Sequence, residues 1–189
     1  MEKQAELKMN NGNIVKVYYD EYCENPRSMF DYTSVIYANC RDYNFDEHHC
    51  RELVNKYHVD TIDKMLEKLE KDGYIALEIF GVLHSSIALS TKGKIPNPWY
   101  GFDDIIFGII TEKKADIRKE FGVSKITKKL REKIEQRMEN EVKELEQYIN
   151  GEVYSIEVTD KDGKEIDCFG GIIGHEALQE TIKEYGDVA

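Results

Sequence analysis

Residues 125–149, KITKKLREKIEQRMENEVKELEQYI, limit the fold more than any other stretch. Ile126, Leu130, Ile134, Met138, Val142, Leu145 and Ile149 recur at steps of four and three. That spacing lays one apolar stripe along a helix of about six turns. Asn150-Gly151 supplies its stop. A helix with one oily face must bed that face on something, so the remaining chain has to supply the platform.

The remaining chain predicts strands. Residues 13–20 (NIVKVYYD) alternate, and 34–40 (SVIYANC) form a second short strand candidate. Residues 46–57 predict a helix with Asp46 as its cap. Residues 60–73 predict another, with Ile62, Met65, Leu66 and Leu69 on one face, Thr61 or Asp60 at its start and Gly73 at its end. Runs 74–80 and 83–91 read as a hairpin linked at Gly81. The continuously apolar 105–111 (IIFGIIT) is expected to be a central strand, followed by a short helix ending at Gly122. Residues 152–174 read as a hairpin turning at Asp162-Gly163, and 175–186 as a terminal helix. Hairpins mean antiparallel pairing, so the fold class is α+β. The expectation is a single domain over residues 1–189, one mostly antiparallel sheet packed against the long helix, with residues 1–12 loose.

Composition excludes some classes. Hydrophobic residues at 41% and charged residues at 33% place the chain among globular proteins rather than disordered ones. No apolar run of about 18 residues is present, which argues against a membrane span. The N-terminus lacks the pattern of a secretion signal, and the four cysteines form no CxxC pair, which points to reduced thiols in a cytoplasm. Cys40, His48, His49 and Cys50 match no zinc spacing. Asp42, Asp46, Glu47, His48 and His49 read as a solvated helix start in preference to a divalent-ion site. No cofactor and no metal is expected.

Net charge is −11, and it is unevenly spread. Residues 152–189 hold ten acids and three Lys or Arg, whereas residues 113–133 hold nine Lys or Arg and three acids. An acidic surface repels phosphates and attracts basic partners. Asp160, Asp162 and Glu165 at the last hairpin are therefore candidate contacts. Lys128, Lys129 and Arg131, at the start of the long helix, read as a solvated face that can also hold RNA phosphates. The loop at 93–104 gathers Trp99, Tyr100 and Phe102, which serve as interface anchors if exposed and as a core plug if buried. Asn25-Pro26-Arg27 marks a turn; Arg27 is expected to bond to Glu24 or Asp31, with a phosphate or partner contact as the alternative.

One constellation carries chemistry. His84, Asp103 and Asp167 come from three segments that can share a sheet. His84 would act as general acid or base, oriented by Asp167 or Asp103, with the hydroxyl of Ser85 or Ser86 as nucleophile or substrate contact. Strand alternation puts Ser86 on the face of His84 and Ser85 on the other. The plainer account, preferred here, makes His84 a buried group that ties strands together.

The stretches YYDEYCENPRS, LHSS, FDDIIFGIIT, the run from Lys119 to Tyr154 and EIDCFGG together resemble a protein family, without an assigned biochemical role, found mainly on bacteriophages and other mobile elements of Gram-positive bacteria. The likeness spans about residues 14 to 174. The family pattern has His-Ser-Gly at His84-Ser85-Ser86, Trp-Asp-Ser-Gly at Phe102-Asp103-Asp104-Ile105, and Asp-Ser-Cys-Trp-Gly at Asp167 to Gly171. His84, Asp103 and Asp167 match, while the small hydroxyl and glycine partners do not. The resemblance implies a job in phage–host conflict. The resulting expectation is a cytoplasmic counter-defence protein of the anti-CRISPR type. It would dock its acidic surface on a host defence protein or nucleoprotein, such as a Cas effector, with RNA as a further contact. The competing expectation is a small hydrolase or ribonuclease using His84 with Asp167 or Asp103, for example on guide RNA.

Overall fold

The computed structural model describes residues 3–40, 43, 45–59, 61–83, 85–93, 95 and 104–189. In chain order the elements are β1 (Lys3–Lys8), β2 (Ile14–Tyr19), α1 (Pro26–Met29), β3 (Val35–Ala38), β4 (His48–His49), α2 (Cys50–Tyr57), α3 (Ile62–Lys71), β5 (Tyr74–Leu83), β6 (Ile87–Ser90), β7 (Asp104–Lys113), α4 (Lys114–Glu120), α5 (Lys128–Ile149), β8 (Val153–Thr159), β9 (Glu165–Ile173) and α6 (His175–Glu184). The class is α+β, as the hairpin pattern predicts. Where one domain and one sheet were expected, the chain forms two compact units with a sheet in each. The terminal unit joins Met1–Pro26 to Gln147–Ala189, and the middle unit is Arg27–Glu146.

The terminal unit holds an antiparallel sheet of order β1-β2-β8-β9. Its register follows from alternation. Val15 faces Val158, Val17 faces Ile156 and Tyr19 faces Tyr154, so like apolar groups share one side. Helix α6 lays Leu178 and Ile182 onto that side, and Ala5, Leu7 and Tyr185 pack against the same cluster. The first twelve residues, expected to be loose, instead contribute β1. The reason is edge pairing: β1 is polar apart from Ala5 and Leu7, yet those two residues and its backbone bonds to β2 tie it down.

The middle unit holds a sheet of order β4-β3-β7-β5-β6, antiparallel except for the short β3–β4 pair. Strand β7 is central, as its unbroken apolar run predicts, and Phe107, Ile109 and Ile110 are fully buried. Long helix α5 lies on this unit through Ile134, Met138, Val142 and Leu145. It begins at Lys128 rather than Lys125 because Thr127 caps it, accepting from Leu130 N at 3.2 Å through its hydroxyl. Helix α3 buries Met65 and Leu69, with Ile62 and Leu66 beside them.

Two local readings change. Helix α2 is capped by His49 in a reciprocal box with Glu52, not by Asp46. The β5–β6 reversal lies after Leu83, which pairs with Ile87, so Ser85 and Ser86 sit in an exposed turn and share no strand. Gly81 is instead buried within β5, where an added Cβ would press on Ile105 and Leu89. Close packing, not a turn, explains that glycine.

Gly108 has the same role at the centre of the sheet. It pairs with Ala38, and a Cβ there would be driven into the carbonyl of Tyr37 on β3. Gly108→Ala is therefore expected to cost about 1–3 kcal/mol through overpacking, read as a lower urea midpoint with an unchanged slope.

Candidate functional site

Of the groups expected to do chemistry, His84 and Asp103 lie outside the described residues, as do the anchors Trp99 and Tyr100. Ser86 is an exposed turn residue of the middle unit. Asp167 belongs to β9 of the terminal unit, where it accepts a 2.7 Å hydrogen bond from the Tyr185 hydroxyl. Burial, helped by that bond, pushes Tyr185 up to about 12. Asp167 thus joins the strand to the residue that ends α6.

Arg27 is not bonded to Glu24 or Asp31. Only 2% of its side chain is exposed, and it meets both oxygens of Asp46, at 2.9 and 2.8 Å, and Glu141 of α5 at 2.8 Å. It also donates to the Ser34 carbonyl and stacks over Tyr32 at 4.1 Å. Burial works against the charge, but the carboxylates more than offset it and raise the guanidinium above its ordinary value. Ser34 also donates to Glu141, and Asp46 accepts from the Ile36 backbone. Arg27 therefore serves the fold and turns inward from any phosphate. Asn25 is half-buried just before α1.

One turn earlier on α5, Arg137 grips Glu120 and Glu112. The Glu112 side chain is fully buried at the end of β7 and takes a 3.0 Å bond from Thr33. Burial raises its pKa despite Arg137. Asp46, His48 and the His49 backbone are likewise spent internally, Asp46 on Arg27 and the other two on Glu52, while Glu47 is exposed.

Among the cationic candidates, Arg131 forms a fork with Glu70 at 2.9 and 3.0 Å and reaches Glu135 at 2.7 Å. Lys128 and Lys129 are exposed in the first turn of α5. Lys128 lines a cavity of about 310 Å³ together with Lys114, Arg118 and Lys125; Lys129 does not.

The terminal unit combines charge with shape. At the β8–β9 turn, one Asp160 oxygen accepts from Asp162 N and Lys164 N, each at 2.9 Å. That brace leaves Asp162 and Glu165 exposed on a fixed turn. On the α6 side of the sheet runs a groove of about 600 Å³, floored by Leu7, Val17, Tyr19 and Tyr154. Tyr19 and Tyr154 stack at 5.6 Å, and His175 meets Tyr154 edge-on at 6.3 Å. The C-terminal tail closes one end: Asn10 N donates to Asp187 O at 2.8 Å and Ala189 N to Lys8 O at 2.9 Å.

No protein-family model, curated protein or solved structure matches the chain. The site is accordingly read from its own chemistry. Among the described residues no group of three His, Cys, Asp or Glu side chains is placed to hold a metal ion, and no helix is long and apolar enough to cross a membrane. Sequence reasoning found the acids of the last hairpin but not the groove, whose walls come from residues 4–19, 154 and 175–188. It also missed the Arg27 cluster. The available signal was Glu141, a carboxylate within the apolar stripe between Met138 and Leu145, which demands a buried cation.

Two outcomes follow from the buried clusters. Arg27→Met strands Glu141 and Asp46 and is expected to cost about 3–5 kcal/mol in urea unfolding. Glu112 holds its proton to higher pH when folded than when unfolded. The native state should therefore lose stability as pH rises from about 4.5 through the raised value. Glu112→Gln should flatten that slope in unfolding curves taken across the range.

Proposed function

We propose that this protein works by binding, and that its acidic terminal unit occupies a cationic surface on a host complex that targets nucleic acid. The carrying observation is how charge divides between the units. Of the net −11, the terminal unit accounts for −9, with fifteen Asp or Glu against six Lys or Arg; the middle unit holds 22 against 20. Counting alone leaves at least nine acids of that unit without a cation of their own unit. Complexes that hold nucleic acid line their channels with Lys and Arg to meet phosphates. A compact acidic surface competes for the same positive groups and is steered to them at long range. The motif resemblance to phage and mobile-element proteins directs this reading to counter-defence, with inhibition of the anti-CRISPR type. Exposed Lys128 and Lys129 on the middle unit suit contact with RNA carried by such a complex.

The test adds the protein to a purified guide-loaded nuclease complex. Inhibition should saturate near equimolar protein, weaken as salt rises and leave the guide RNA intact. Reversing Asp162, Glu165 and Glu180 to Lys should raise the half-inhibitory concentration by about tenfold or more. Cleaved guide RNA, or inhibition at a small fraction of equimolar, would replace this reading with the enzymatic one, in which His84, Asp103, Asp167 and Ser86 become the residues to substitute.

A further inference from the structure

We infer that the groove of the terminal unit receives one face of a cationic amphipathic helix presented by the protein partner. This rests on the acidic unit being the docking surface and adds which part of it makes contact and with what. Two features of the groove converge.

The first is an apolar floor of limited size. Leu7, Val17 and the stacked pair Tyr19 and Tyr154 offer a hydrophobic trough of about 600 Å³, enough for a few side chains rather than a whole domain face. Aromatic side chains of this kind anchor interfaces at low entropic cost. Such a trough fits the anchors that a helix projects at i, i+3, i+4 and i+7.

The second is charge set beside the apolar floor. Helix α6 forms one wall, presenting Gln179 and Lys183 to the groove. One residue further around the helix, Glu176, Glu180 and Glu184 repeat at four-residue spacing and are exposed. They make an anionic ridge on α6 next to the Gln179–Lys183 wall and outside the groove lining itself, in a unit of net −9. A helix that buries leucines and flanks them with Lys or Arg satisfies floor and ridge together. An uncharged apolar ligand would draw nothing from the ridge. A strand added to β1 is opposed by Lys3, Glu6 and Lys8 on that six-residue edge.

The probe is a pair of fluorescent peptides about four turns long. One carries Leu at i, i+3, i+4 and i+7 with Lys elsewhere; the other is a scrambled isomer of identical composition. Anisotropy titrations should show the amphipathic peptide binding at least about tenfold tighter than its isomer. Tyr19→Glu should erase that difference. Val188→Glu should do the same at the end of the groove lined by the C-terminal tail, where the residue is exposed and its substitution leaves the core alone. Replacing Glu176, Glu180 and Glu184 by Lys should weaken both peptides. Equal binding of the two isomers, or an advantage that survives both groove variants, overturns the groove inference and leaves the acidic docking surface standing. Indifference of both peptides to the charge reversal defeats the docking surface as well. Concentration-dependent dimerisation that Val188→Glu abolishes makes a second copy the occupant and overturns the inference too.

Discussion

Taking a guanidinium out of water costs several kcal/mol unless carboxylates meet it in good geometry. Arg27 is such a group, and its partners come from far along the chain. Asp46 lies 19 residues away and Glu141 lies 114 residues away. The charge therefore holds α1, β3, the approach to β4 and the third quarter of α5 to one arrangement. An apolar stripe alone would let a helix slide along a sheet by a turn at modest cost, since Ile134, Met138, Val142 and Leu145 repeat. The ions remove that freedom. A one-turn slide would bring either Arg137 or Leu145 to the place of Glu141, setting a cation against Arg27 or leaving it unpaired. Arg137, itself held by Glu112 and Glu120 one turn earlier, reinforces the same register. Such clusters add little net stability over apolar packing of the same volume, so selecting one register is the better account of them.

The elements that were legible in the sequence are those fixed by local pattern. The stripe of α5, the apolar run of β7, the helix at 62–71 and the last hairpin each carry their own period, and each is found. What stayed illegible depends on distant partners. Alternation marks β2 as a strand but cannot say that Val15 will face Val158. That pairing is what makes a second sheet and a second unit. β1 illustrates the converse: KQAELK has little apolar content, and it is a strand because an edge was open to it. The turn was misplaced for a subtler reason. Glycine signals either chain reversal or close approach, and at Gly81 the neighbours Ile105 and Leu89, invisible in sequence, decide for close approach.

The two units use charge in opposite ways. In the middle unit, acids and bases are nearly equal in number, and key partners are built into packing, as with Arg27 on Asp46 and Glu141 and Arg137 on Glu112. Hydrogen bonding to Arg131 holds Glu70 below its ordinary range. There charge organises structure. In the terminal unit, the bonds that matter to the fold are largely backbone pairings and apolar contacts: the sheet register, the α6 cluster and the tail pinned beside Met9. Its ion pairs Lys3–Glu6 and Lys16–Glu157 sit at the surface, where such pairs contribute little.

That contrast bears on why the acids are there. Like charges crowded on a small unit repel one another and oppose compaction. A sheet of four strands with one helix over it has a small core with which to offset that repulsion. Neutral polar residues at Asp162, Glu165 or Glu180 would fold at least as well, because all three are exposed and none caps or braces a turn in the way Asp160 does. Acids in such positions add no structural advantage that the fold can account for. On the proposed reading, cations brought by a partner would relieve that cost, and the same groups would then lower the free energy of a complex instead of raising that of the free protein. On the same reading the groove would give that encounter a geometry, since apolar contact on its floor would discriminate among basic partners where charge alone does not.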